Sequence, residues 1–162
     1  MQNEALRKHL FALLDGGHAH ATLDQIVGDM PLDKQGIVPE NLPHSAWQIL
    51  EHIRIAMEDM VEFSNNEQGS YRERNFPVDY WPQSPAPATP TCWEQTVSEI
   101  KSQIARFKQL LSDPKRDPFA PFPWADGQTL LLEALQIADH NAYHLGELVV
   151  LRQLLGVWRA AT

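Results

Sequence analysis

Apolar residues recur every three or four positions in four stretches of this chain, and proline interrupts the segments between them. In the first stretch, about Glu4 to Val27, Leu6, Leu10, Leu13 and Leu14 precede Gly16-Gly17, and Leu23, Ile26 and Val27 follow. The glycine pair predicts a break or kink. The second, about Ser45 to Asn65, carries Ala46, Leu50, Ile53, Met57 and Met60 at steps of 4, 3, 4 and 3. That is the inward seam of a packed helix, and Ser45 with Gln48 three residues on resembles a capping box. The third, about Thr91 to Ser112, places Trp93, Val97, Ile100, Ile104, Phe107 and Leu111 on one seam. The fourth runs from about Gln128 to Leu155, with Asp126 or Thr129 as cap and Gly156 at its end. No segment sustains a period of two and no internal repeat is present. The pattern predicts an all-α protein, a four-helix bundle forming one domain over residues 1–162.

The connections are long. Between the second and third helices stand Pro77, Pro82, Pro85, Pro87 and Pro90, too dense for a helix interior, together with Tyr71, Phe76, Tyr80 and Trp81. Between the third and fourth, Pro114, Pro118, Pro121 and Pro123 surround Phe119, Phe122 and Trp124. So many aromatic residues predict segments packed on the bundle rather than free linkers. They line the mouth of a groove, where they would select an apolar electrophile, or they are packing that covers the bundle, or a dimer contact.

Composition narrows the function classes. The chain has 162 residues, 43% hydrophobic and 21% charged, which suits an ordinary globular protein. No apolar run approaches the roughly 20 residues that span a bilayer, and Met1-Gln2-Asn3-Glu4 lacks the layout of a signal peptide, so the expected compartment is the cytoplasm. A net charge of −8 without a Lys/Arg cluster argues against nucleic-acid binding. Cys92 is the single cysteine, so a metal site would be built from histidine and carboxylate.

His140 and His144 are four residues apart, so on a helix both imidazoles leave one face, as a shared metal ion requires. At 100° per residue Glu133, Ile137, Glu147 and Leu151 continue that stripe. His52 borders the Leu50/Ile53/Met57 seam of the second helix and can face the bundle groove as a third ligand, with Gln48 and Asp59 aligned beside it. Gln48, Asp59 and Glu147 are candidates to accept the other ring N–H of a ligating imidazole. The competing reading is that His52 is a hydrogen-bonded core residue while His140 and His144 decorate a groove. His44 and the His18/His20 pair are weaker candidates, and His9 reads as surface. Arg54 and Arg152 are either cations for an anionic substrate or solvated charges. A zincin peptidase requires Glu directly after the first histidine, and Asn141 stands there instead. Phosphate loops and nucleophile elbows are absent, and Cys92 has no evident histidine partner in sequence.

The words Pro43-His44-Ser45-Ala46-Trp47-Gln48-Ile49-Leu50-Glu51-His52-Ile53-Arg54 and Asp139-His140-Asn141-Ala142-Tyr143-His144-Leu145-Gly146-Glu147, leading to Leu151-Arg152 and Leu155-Gly156, resemble the DinB/YfiT-like superfamily over most of the chain. The resemblance implies an up-down-down-up four-helix bundle, often a homodimer, with a divalent metal, zinc or nickel, held by His52, His140 and His144. It also implies a small-molecule substrate. Relatives include transferases of low-molecular-weight thiols such as bacillithiol or mycothiol, thiol-dependent maleylpyruvate isomerases, and members of unknown substrate. A metal-dependent thiol S-transferase is therefore the leading expectation, with a metal-dependent hydrolase or a non-enzymatic metal- or ligand-binding bundle as alternatives.

Overall fold

Glycine conformation and side-chain caps set the helix boundaries. In the computed structural model, which describes residues 3–158, the first apolar stretch is two helices rather than one kinked helix. Helix α1 (Glu4–Asp15) stops where Gly16 and Gly17 take φ of +68° and +81°, a region that L side chains avoid. The chain restarts at Thr22, whose hydroxyl accepts from the Gln25 N–H while the Gln25 side chain accepts from the Thr22 N–H, and this capping box opens the short α2 (Leu23–Val27). The same reciprocal box between Ser45 and Gln48 opens α3 (Ala46–Ser64), as the sequence predicts. Then follow α4 (Cys92–Ser112) and α5 (Leu130–Leu154). Thr129 rather than Asp126 caps α5, accepting from the Leu132 N–H. The described residues contain five helices, four of them substantial, and no strand. Met1, Gln2 and residues 159–162, which belong to the expected single domain, lie outside them.

Helix α3 packs against α4 and α5, α1 packs against the same two, and α2 lies on α5. The predicted seams meet in the core. Leu50, Ile53 and Met57 of α3, Ile100, Phe107 and Leu111 of α4, and Ile137, Leu148 and Leu151 of α5 are all buried. Truncating one such residue to alanine costs about 2–5 kcal/mol, through lost burial and the cavity left behind.

Arg152 departs from both roles expected of it. Its side chain is fully buried and donates to the carbonyls of Ile26 and Val157 and, at 2.5 Å, to Asp29, tying α2 and the segment after α5 to α5 itself. Arg54 is likewise engaged, by Glu51 at 2.6 Å, Glu58 at 3.3 Å and Glu99 at 3.5 Å.

The connection over residues 65–91 is a strap laid along α3. Ser45 Oγ donates to the Pro85 carbonyl at 2.5 Å and Gln48 Nε2 to the Pro82 carbonyl at 3.1 Å. Tyr71 and Tyr80 donate their hydroxyls to Asp59 at 3.0 and 2.7 Å. Ala86 approaches Gly36 so closely that a Cβ there would stand 2.5 Å from the alanine Cβ, which explains a side-chain-free residue at that point. Packing of the aromatic connection is thus as expected. Part of it also faces the candidate site.

Candidate metal centre

Helices α3 and α5 bring His52, His140 and His144 together: one ring nitrogen from each lies within 4.8 Å of the others. His52 and His144 are buried and His140 is half-buried. Ring centroids are 5.0 Å apart for His52 and His140, 4.6 Å for His52 and His144, and 4.6 Å for His140 and His144. The i, i+4 spacing on α5 supplies two of these rings, and the facing turn of α3 supplies the third.

Hydrogen bonds decide which nitrogens face inward. His52 Nδ1 lies 2.8 Å from the Tyr80 carbonyl, which can only accept, so Nδ1 carries the proton and Nε2 keeps its lone pair. His144 Nδ1 lies 2.9 Å from Glu147 Oε2, and the same reasoning places a proton on that Nδ1. His140 Nε2 lies 3.1 Å from His52 Nε2. Two imidazole nitrogens bound tetrahedrally to one zinc ion are about 3.3 Å apart, from N–metal distances of roughly 2.05 Å. Donor type, separation and tautomer all fit a divalent cation. Burial, followed by the neighbouring His144 and His52, lowers the pKa of His140 to about 4, and burial also lowers that of His52. Both rings are therefore neutral at pH 7, as ligation requires.

The three expected orienting residues act differently. Glu147 accepts from His144 directly. Gln48 and Asp59 do not bond to His52; they hold the strap that carries the Tyr80 carbonyl. The strap also lays Trp81 flat on His52, with ring centroids 3.9 Å apart and planes 3° from parallel. His44 stacks on the other indole face at 3.7 Å and 8°. Trp81 is thus sandwiched between two imidazoles. Sequence reasoning missed the Tyr80 carbonyl, since a backbone acceptor has no side-chain signature; the aromatic density of the connection was the only hint.

A cleft of about 590 Å³ opens onto the three rings, walled by Ala56, Asp59 and Met60 of α3, Phe76, Tyr80 and Trp81 of the strap, and Asp139 and Tyr143 of α5. Tyr71 instead packs edge-on against Phe63, as does Phe122, which stacks on Trp124. His18 and His20 are exposed, and His20 lines a separate groove between α1 and α5. Cys92, whose pKa is lowered by its hydrogen bond to Thr89, stands apart from the cluster.

Helices packed around three inward-facing imidazoles beneath an open cleft define a helical bundle with a candidate divalent-metal centre. The family model of the DinB superfamily matches residues 17–148, most of the chain and all three histidines, and the protein belongs to that superfamily. Comparison with curated proteins and with solved structures gives no match.

Proposed function

We propose that the protein is a metal-dependent enzyme in which His52, His140 and His144 hold zinc or nickel, and that it transfers a low-molecular-weight thiol to an electrophile. The carrying observation is the convergence of three imidazoles, two with the outer ring proton already held by an acceptor. A divalent cation there supplies positive charge that lowers the pKa of a coordinated thiol and favours the nucleophilic thiolate. The chain's own residues supply position and surroundings. Tyr80 and Glu147 fix two ring orientations, and Phe76, Trp81 and Tyr143 wall the space above the histidines for an apolar electrophile. Glu147 is turned to His144, and among the described residues no fourth histidine, cysteine or carboxylate joins the cluster, which favours a site open to substrate over a closed storage site.

Two further features of the reading have separate support. An up-down-down-up course is supported by side-chain register. Thr96 bonds Glu51 and Glu99 pairs with Arg54, so numbering rises together on α3 and α4, whereas His52 meets His140 and Asp59 acts on Glu133, in opposed order on α3 and α5. A homodimer is supported by the outer face of α5, where Leu132, Leu135, Val150 and Leu154 are exposed at helical spacing.

The test is metal content of tag-free protein never exposed to a nickel column, measured by inductively coupled plasma mass spectrometry beside His52→Ala and His140→Ala. Near-stoichiometric metal that both variants lose is the expected result. Conjugation of thiols to monochlorobimane, with and without metal, then tests transfer, and a panel of ester and amide substrates tests hydrolysis. Metal absent throughout and not taken up from added zinc or nickel would sink the reading.

A further inference from the structure

The charges around the cleft are of one sign. Asp59 and Asp139 line it, and Glu147 stands directly behind His144. Among the described residues no lysine or arginine lines it. The cations that sequence alone offered to an anionic substrate are elsewhere, Arg152 inside the α2/α5 contact and Arg54 among three carboxylates. Arg74, which pairs with the cleft-wall Asp59 at 3.6 Å, is engaged more closely by Glu58 at 2.7 Å. The rest of the wall is largely apolar, and two of its members are open to water, Phe76 at 79% and Tyr143 at 71% exposed, as is Asp139. Large aromatic faces left open to water at a cleft mouth favour apolar or cationic groups, because their quadrupole attracts positive charge and their area gains by being covered.

We infer that the cleft takes a thiol whose body beyond the sulfur is apolar and either uncharged or cationic, and that it discriminates against a thiol carrying a carboxylate at its far end. This rests on the metal-dependent reading above and specifies its substrate class. The sulfur is drawn to the histidine cluster; the far end meets Asp139 and the two exposed rings. A carboxylate there faces a like charge and strips water from itself against Phe76 and Tyr143, with no cation to receive it. An ammonium in the same place gains from both the carboxylate and the ring faces.

Three thiols of one shape separate these effects: phenylmethanethiol, 4-(aminomethyl)phenylmethanethiol and 4-(mercaptomethyl)benzoate. The para substituent lies too far from the sulfur to chelate. Their Kd values are measured by isothermal titration calorimetry on zinc-loaded protein whose metal content has first been confirmed, at low and at high salt. The neutral and ammonium thiols bind at least about tenfold more tightly than the carboxylate, as one like-charge contact at the protein surface predicts. Asp139→Asn narrows the gap between ammonium and carboxylate, and raised salt narrows it in the unsubstituted protein. Zinc-loaded protein that binds the carboxylate as tightly as the others, or binds none of the three, overturns the inference and leaves the metal site standing. Protein that takes up no zinc overturns the metal reading itself.

Discussion

Asp59→Ala is the perturbation that best tests how the strap and the histidine cluster depend on one another. Asp59 is buried and accepts from two phenols, Tyr80 at 2.7 Å and Tyr71 at 3.0 Å. Burial and the adjacent carboxylate both push the two phenol pKa values up, so each hydroxyl keeps its proton and donates. A hydrogen bond to a charged group contributes about 1.5–3 kcal/mol, and both tyrosines are half-buried, so their hydroxyls regain water in part when Asp59 is lost. Undocking of residues 71–81 then becomes easier by about 2–3 kcal/mol in total. The Tyr80 carbonyl travels with that segment, and with it the bond that holds the His52 proton on Nδ1. Loss of such an orienting partner typically weakens metal binding by about 10–100-fold. The assay is competition with a fluorescent zinc chelator, run beside hydrogen exchange over residues 69–90. Asp59→Ala is expected to raise both the zinc Kd and the exchange rate of the strap. Tyr80→Phe, which removes one hydroxyl and keeps the carbonyl, gives a smaller change. Fast strap exchange with zinc affinity within about twofold of the original would refute the coupling, and an unchanged strap would refute Asp59 as its anchor.

Two other outcomes follow from the geometry. Glu133 is buried on the α5 stripe of His140, about two turns away, and burial followed by Asp59 raises its pKa from 4.5 to about 7. A carboxyl with a raised folded pKa contributes stability fully present below pH 4.5 and lost as pH rises to about 7, a loss of at most about 3 kcal/mol. Glu133→Gln removes this dependence, so chemical denaturation of metal-free protein at pH 4.5 and pH 8 should show the variant gaining on the parent at the higher pH; equal differences at both would refute the neutral buried acid. For the outer face of α5, Leu135→Lys with Val150→Lys should convert a dimer to monomer in sedimentation velocity without loss of helical circular dichroism, and a parent that is monomeric at tens of micromolar would refute the dimer.

Much of the bundle was legible in the sequence because helix periodicity and capping are local. The seams Leu50/Ile53/Met57 and Ile100/Phe107/Leu111 are spacing patterns, and the Ser45/Gln48 box lies within four consecutive residues. The pairing of His140 with His144 belongs to the same class, since one helical turn fixes both directions. The break at Gly16-Gly17 was visible, but a fresh start at Thr22 depended on how α2 docks, with Arg152 reaching across to the Ile26 carbonyl from far along the chain. His52 joining the α5 pair required two helices to meet at one height. The roles of Gln48 and Asp59 were further still from the sequence. Both lie on the stripe of His52, yet each acts through the proline-rich strap, because the acceptor His52 uses is a backbone carbonyl about 28 positions away in the chain. Local spacing determined the helices and the α5 histidine pair; tertiary packing decided which long-range partners orient them and which charges reach the cleft, since those contacts follow from how separate elements fill one another's grooves.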